Sequence, residues 1–318
     1  MSDEAPLRDP ALVAAFEGWN DAANAASDAL RFLLRAFDAQ EVRELDPQEY
    51  FDFQAARPHV EIRDGVVRTL RWPSTRLYTA RVNSGPRDLV LALGIEPNLH
   101  WPQFCHEIVG TARSYGASFA VTLGALLGDT PHTRAMPITG TASDPATAQR
   151  LGLQRSRYQG PTGIVGVLSD ACRRDDLPCA SLWAPVPHYV SSPPNPKATL
   201  ALLERLAVLL DLPLDLRNMM VAANGWVEQV NSVMETDGDL VAYVHQLEAR
   251  FDDPTVADDD EDVSDDDLFA ALDDVVDADE DDDEDDDDDV FDEDELPSGD
   301  ALAAEFERFL RRQGEADE

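Results

Sequence analysis

The fold is decided by the stretch SFAVTLGALLGDTPHTR, Ser118 to Arg134. Its first part, through Gly128, is an uninterrupted apolar run of the kind that forms a strand buried on both faces of a sheet. Beyond the glycine, Asp129, His132 and Arg134 follow closely around one proline. Ligands of open α/β sheets bind beyond the carboxyl ends of the strands. The stretch therefore predicts a central strand and then a surface loop, which serves either catalysis or contact with another protein.

Strands and helices alternate on both sides of this run. Apolar segments predict further strands at LVAAFEGW, VRELD, LYTARV, DLVLALGI and PCASLWAPVPHYV. Apolar residues at a period near 3.6 predict helices at NDAANAASDALRFLLRAF, PQFCHEIVGTARSYG, TGIVGVLSDACRRDD and PKATLALLERLAVLLD. The segment VEIRDGVVRTLRW alternates about RDG as a β-hairpin does, so we expect a mixed sheet. The expected fold is a three-layer α/β/α domain over residues 1–250, with a helical pair over about residues 215–250 that breaks near TDGD.

The last part of the chain differs in charge from the rest. From Phe251 to Glu318 there are 34 acidic and 3 basic residues, a net charge of −31. Such a segment repels itself and has little apolar surface, so we expect residues 251–297 to be an acidic, largely disordered linker. Residues 298–313 are expected to form a short amphipathic helix whose apolar stripe docks on this domain, on a sister subunit or on a partner. That stripe consists of Leu302, Phe306, Phe309 and Leu310.

Composition argues against several classes of partner. A net charge of −39 is unfavourable for binding nucleic acid, which needs clustered basic residues. There is no apolar run of about 18 residues and no basic, apolar leader, so we expect no membrane contact and a cytoplasmic location. Cys105, Cys172 and Cys179 lack the spacing of a metal site, so we expect neither a metal nor a cofactor. Lys197 is the only lysine, which counts against lysine-based catalysis.

The sequence lacks the familiar catalytic motifs, and we assign no catalytic residue. It has no GxxxxGK[ST], no GxGxxG that opens a helix, no GxSxG and no HExxH. His132 and His188 each follow a strand and adjoin a proline. Together with Asp129 and Arg134 they could line one cleft at the carboxyl edge of the sheet.

Two turns at helix starts add further candidates. Glu17 and Asn20 follow the first strand and are included in the candidate cleft. A carboxylate there could bind a cation or, more commonly, cap the next helix. In QGPTGIVG, the residues Gly160, Thr162 and Gly163 could present backbone N–H groups to an anion. The alternative is that these glycines allow a tight turn and close packing of the helix on the sheet.

Five blocks of sequence together resemble the proteasome assembly chaperone 2 family, and more narrowly its actinobacterial branch. They occur in the same order over about residues 10–250: FEGWNDAANAASDAL, GIEPNLHWPQFCHEIV, GALLGDTPHTRAMPITGTASD, YQGPTGIVGVLSDACRRDDLPCASLWAPVPHYV and PNPKATLALLERL. The resemblance implies a three-layer fold similar to that of the nucleoside phosphorylases. It also implies self-association, with a trimer favoured, and a role in assembling the 20S proteasome, as in eukaryotic and archaeal relatives.

The sequence therefore supports two alternative functions. The first is a non-enzymatic, assembly-chaperone-like or protein-interaction protein with proteasome subunits among its partners. The alternative is a small-molecule or anion-binding enzyme of phosphorylase-like fold. Its cleft would lie near Asp129–Arg134 and His188.

Overall fold

The computed structural model describes residues 5–63, 67–142, 145–155 and 160–253. The strands are β1 (Ala11–Glu17), β2 (Gln40–Glu44), β3 (His59–Arg63), β4 (Val67–Arg71), β5 (Thr75–Ala80), β6 (Leu89–Ile95), β7 (Phe119–Gly128), β8 (Thr139–Ala142), β9 (Gln154–Arg155) and β10 (Cys179–Pro187). The helices are α1 (Ala25–Ala36), α2 (Pro47–Tyr50), α3 (Trp101–Ser114), α4 (Pro145–Leu151), α5 (Ile164–Arg174), α6 (Pro196–Leu210), α7 (Arg217–Met234) and α8 (Gly238–Asp252). Short 3-10 turns lie at Ala22–Asn24 and His188–Val190.

Within the described ranges, eight strands form one mixed sheet in the order β2-β5-β6-β1-β7-β10-β8-β9. The four central strands, β6, β1, β7 and β10, run parallel to one another. Towards the edges, β5 is antiparallel to β6 and β8 is antiparallel to β10. The remaining strands, β3 and β4, pair with each other as the predicted hairpin. The expectation of a mixed sheet is confirmed, although its antiparallel strands are β2, β5 and β8 rather than those of the hairpin, which forms a sheet of its own.

The central strand β7 is buried along nearly its whole length, as its apolar run predicts. Successive residues of the neighbouring strand β1 point to opposite faces of the sheet. Val13 belongs to the core beneath α1 and α6, whereas Leu12 and Phe16 belong to the core beneath α3 and α5. The sheet therefore lies between two helical layers, and the predicted three-layer α/β/α fold is confirmed.

The two last helices form a third, smaller core with the turn that follows β10. Val230 and Met234 of α7 pack with Leu240, Val244 and Leu247 of α8 and with Tyr189 and Val190 of the 3-10 turn. The predicted break near TDGD is confirmed, because α7 ends at Met234 and Asp237 is the N-cap of α8. The Asp237 carboxylate accepts from the N–H groups of Asp239 and Leu240. This core places α7 and α8 over the loop that follows β7.

Beyond Asp253, the predictions for the acidic segment lie outside the described residues. They include the partner-binding stripe of Leu302, Phe306, Phe309 and Leu310.

Candidate functional site

The loop that follows β7 is held by side chains of α8. The Tyr243 hydroxyl donates a hydrogen bond to Asp129 Oδ1 over 3.1 Å. Arg134 forms ion pairs with Glu248 at 2.8 Å and with Asp252 at 2.7 Å. These contacts tie the two ends of the loop to one helix, so its charged groups already have partners within the chain.

His132 lies in the middle of this loop and is 1% exposed. Its Nδ1 lies 3.0 Å from the Tyr189 hydroxyl, and its Nε2 lies 2.8 Å from Asn231 Oδ1. The neutral imidazole with its proton on Nε2 satisfies both contacts, because Nε2–H donates to Asn231 and the tyrosine hydroxyl donates to Nδ1. The hydroxyl oxygen then accepts from the His132 backbone N–H at 2.9 Å. Both ring nitrogens therefore form hydrogen bonds, one with α7 and one with the turn after β10.

Protonation of His132 is expected to destabilise the fold. Burial lowers the pKa of His132, although the hydrogen bond with Asn231 opposes this effect. In the unfolded chain a histidine has a pKa of about 6.5, so below that pH the unfolded state binds more protons than the folded state. The free energy of unfolding should fall by up to about 1.4 kcal/mol per pH unit as the pH drops from 6.5 towards the folded-state pKa.

Urea unfolding at pH 7.5, 6.5 and 5.5 measures this dependence, with His132→Gln as the control that cannot titrate. The variant should show a shallower pH dependence than the wild-type protein. Equal slopes in the two proteins would mean that the pKa of His132 is not lowered on folding.

The side chain of Lys197, at the start of α6, binds the backbone of the same loop. Its Nζ donates to the backbone carbonyl oxygens of His132 and Arg134. Burial, with a contribution from the charge of Arg134, lowers the pKa of Lys197 to about 8. Because this is the only lysine, its amine can be followed alone.

The rate at which Lys197 reacts with a small acylating reagent should rise with pH to a midpoint near 8, because only the neutral amine is nucleophilic. Competitive labelling with acetic anhydride and peptide mass spectrometry measures the profile. The urea-unfolded chain is the control, and its midpoint should lie near the usual value of about 10.4. A native midpoint above 10 would contradict the assignment.

The structure divides the predicted candidate cleft into separate groups. Asp129, His132 and Arg134 share the loop described above. At the end of β10, the residue that touches His132 is Tyr189 rather than its neighbour His188. In the part of the chain that the structure describes, no hydrogen bond joins the two histidines. Tyr189 and the α7 and α8 partners Asn231 and Glu248 were not predicted, since nothing in the local sequence marks them.

Glu17 and Asn20 lie in a second group, at the carboxyl end of β1. Glu17 forms an ion pair with Arg31. Asn20 Nδ2 donates to Glu96 Oε1 over 2.9 Å, and the backbone N–H of Ile164 donates to the same oxygen over 2.8 Å. The N-terminus of α5, the candidate anion site, therefore faces a carboxylate of the chain itself.

The turn of Gly160, Thr162 and Gly163 leads directly into this contact. A Cβ atom at Gly163 would lie 2.6 Å from Asn20 Nδ2 and 2.8 Å from Asn20 Cγ, closer than atoms can pack. Gly163 therefore allows the start of α5 to pack closely against the Asn20 side chain, as the packing alternative for these glycines expects. The capping alternative for the first turn is also realised nearby, since Asp21 Oδ1 accepts from the N–H groups of Ala26 and Ser27 at 2.7 and 3.1 Å.

A cleft of about 810 Å³ opens beyond the carboxyl ends of β1 and β6, with the β3–β4 hairpin along one side. It contains Glu17 and Glu96, and its aromatic lining includes Trp72, Tyr78 and Trp101. Four arginines also line it: Arg31, Arg57, Arg71 and Arg76. We call it the arginine cleft. No sequence pattern marks this cleft, because its arginines come from separate elements and share no spacing.

Within the described ranges, no group of three or more His, Cys, Asp or Glu side chains is arranged to hold a metal ion. Among the helices of the same ranges, none combines the length and the apolar character needed to cross a bilayer.

Comparison with known families matches residues 15–234 to the PAC2 family. No curated protein matches the chain. A solved PAC2 family protein from Streptomyces avermitilis is 49% identical, with a TM-score of 0.70, and the match covers 74% of this chain and 100% of that one. A Mycobacterium tuberculosis proteasome-assembly chaperone homologue is 44% identical, with a TM-score of 0.68, over 74% of this chain and 99% of that one. An archaeal proteasome activator from Pyrococcus furiosus, 14% identical, shares the fold, with a TM-score of 0.59 over 73% and 96% of the two chains.

Proposed function

The chain belongs to the PAC2 family, and we propose that it is a non-enzymatic protein-interaction protein that assists assembly of the 20S proteasome in the cytoplasm. The family resemblance drawn from the sequence is confirmed, and it supplies the first support. The second support is the name of the Mycobacterium tuberculosis relative, a proteasome-assembly chaperone homologue. The proposed partners are a second copy of this chain and proteasome subunits.

The observation that carries the proposal is the uncovered apolar face of the β3–β4 hairpin. Val60 lies directly opposite Leu70, and Ile62 lies two residues further along the same face. These three side chains are 47%, 55% and 67% exposed, respectively. A two-stranded hairpin is marginally stable in water, so a face of this kind gains stability when another surface covers it.

A second copy of the chain suits this face best. Interfaces between identical subunits are more apolar than other protein surfaces and are depleted of charge in their centre. The Val60–Leu70 pair with Ile62 provides such a centre, and Arg68, which pairs with Ile62, adds a charge beside it. We therefore propose that the hairpins mediate the self-association, a trimer by family resemblance, and that the assembled form engages the proteasome subunits.

The alternative function, an enzyme or anion-binding protein that uses the loop Asp129–Arg134 and His188, has less support. His132 is nearly inaccessible, and both of its ring nitrogens are engaged. Arg134 already pairs with two carboxylates. These groups stabilise the position of α7 and α8, which favours a structural role for the loop.

Two measurements on one variant test the proposal. Ile62→Thr combined with Leu70→Glu removes apolar area from the hairpin, and Val208→Glu is the control at a valine that is 75% exposed on α6. Light scattering should give an oligomeric mass for the wild-type and control proteins and a monomeric mass for the hairpin variant. Affinity purification from the native host should recover proteasome subunits with the wild-type protein but fewer with the hairpin variant. The proposal fails if the wild-type protein is monomeric and retains no proteasome subunit.

A further inference from the structure

The arginine cleft carries positive charge in a strongly acidic chain. Its lining has four arginines, Arg31, Arg57, Arg71 and Arg76, against two glutamates, Glu17 and Glu96, a net charge of +2. The whole chain has a net charge of −39. We propose that the arginine cleft binds an acidic peptide and that residues 281–295 of the same chain occupy it.

The glutamates of the cleft are already engaged, whereas some of its arginines are available. Glu17 pairs with Arg31, and Glu96 accepts from Asn20 and Ile164. Arg57 is exposed and has no ion pair or hydrogen bond with any residue in the described ranges. The guanidinium of Arg71 lies 3.9 Å from the Glu61 carboxylate, which is too far for a strong hydrogen bond. Arg71 can therefore also pair with a carboxylate of a ligand. A carboxylate-rich ligand would find two guanidinium groups that can bind it in a bidentate way.

The shape of the cleft suits an extended chain better than a small molecule. Sites for small molecules are concave, mostly apolar and enclose most of the ligand's surface. Here the side chains of Arg71 and Arg76 are 66% and 42% exposed, so the cationic groups stand along an open edge. Trp72, which packs on Phe53 with 4.7 Å between ring centroids, adds an aromatic surface beside them.

The segment DDDEDDDDDVFDEDE, residues 281–295, complements both the positive charge and the aromatic surface of the cleft. Thirteen of its fifteen residues are acidic, and the other two are Val290 and Phe291. Carboxylates can bind Arg57 and Arg71, while the Phe291 ring can pack against Trp72. Ionic contacts at an exposed cleft are weak one at a time, so the apolar anchor and the number of acidic residues both contribute.

The length of the chain allows the contact within one molecule. Residue 281 is 28 residues beyond Asp253, and that length of extended chain reaches about 90 Å. A folded domain of this size has a radius of gyration of about 18 Å, so every surface lies within reach. Tethering also gives the segment an effective concentration that approaches about a millimolar, which compensates for weak individual contacts.

Site-specific photocrosslinking in the full-length protein tests the proposal. A benzophenone amino acid replaces Phe291, and mass spectrometry maps the crosslinked residues. Mixing chains that carry different nitrogen isotopes separates contacts within a chain from contacts between chains. The test variant is Arg57→Glu with Arg71→Glu, and the control is Arg173→Glu with Arg174→Glu, two exposed arginines at the end of α5. Circular dichroism confirms that each variant is folded.

We expect crosslinks to residues 53–59 and 71–76 within one chain. Their yield should fall about tenfold in the test variant but not in the control, and should also fall in 0.5 M salt, where exposed charges are screened. Crosslinks that lie elsewhere, or that survive the reversal of Arg57 and Arg71, would overturn the assignment of the cleft. Crosslinks to the cleft of a differently labelled chain would overturn the intramolecular contact in favour of one between copies.

Discussion

Replacing Tyr189 with alanine is expected to lower the free energy of unfolding by about 3–5 kcal/mol, the usual cost of removing a large buried aromatic side chain. Tyr189 is 1% exposed and belongs to the core formed with α7 and α8. Its ring meets the edges of His132 and Tyr243, with centroids 5.7 and 5.9 Å away. The substitution would therefore leave a cavity and also remove the hydrogen bonds that position the loop after β7. Equilibrium unfolding in urea measures the change.

The control Tyr189→Phe separates the packing contribution from the hydrogen bonds. Phenylalanine keeps the ring but leaves the His132 N–H and Nδ1 without the hydroxyl, an expected loss of about 2 kcal/mol. If the phenylalanine variant were as unstable as the alanine variant, the hydroxyl rather than the ring would dominate. If neither variant lost stability, the third core would not contribute to the fold.

Replacing Gly94 with alanine should destabilise the protein by about 3 kcal/mol, at the upper end of the usual cost of overpacking. Gly94 lies opposite Thr75 in the antiparallel pair of β5 and β6. A Cβ atom at position 94 would lie 2.6 Å from both Cα and Cβ of Thr75, which is fully buried. Because one of these atoms belongs to the backbone, a change of rotamer cannot relieve the overlap, and the strands must separate locally.

Gly110→Ala is the matched control for this substitution. Gly110 is exposed inside α3, and a Cβ atom there would have no neighbour within 4 Å. Alanine favours the helix over glycine by about 1 kcal/mol, so this variant should be more stable than the wild-type protein. Urea midpoints of the two variants should move in opposite directions. A neutral effect of Gly94→Ala would show that strand β5 adjusts without cost although it pairs on both sides.

The sequence predicts the centre of this fold well because buried parallel strands and amphipathic helices have strong periodic signals. The apolar run that became β7 and the alternation around it lead to the three-layer architecture. The strands β8 and β9 and the helices α2 and α4 were missed. They have between two and seven residues, too few for a period to show, and their positions depend on tertiary contacts.

The sites were harder to predict than the fold because their partners are distant in sequence. The loop residue His132 was identified, yet its partners Tyr189 and Asn231 lie 57 and 99 positions away. The prediction chose His188, one residue short of the tyrosine that makes the contact. Local sequence shows that a polar residue follows a strand, but it does not show which residue of a turn faces inward.

The single lysine of this chain also makes its side-chain amine chemistry a reporter of folding. In the folded protein that amine donates to two carbonyl groups under a loop that α8 holds in place. A bulky reagent or a solid support that couples to lysine therefore finds no freely projecting lysine ε-amine on a folded copy, whereas an unfolded copy exposes Lys197. Coupling through lysine would thus select unfolded molecules from a mixed preparation.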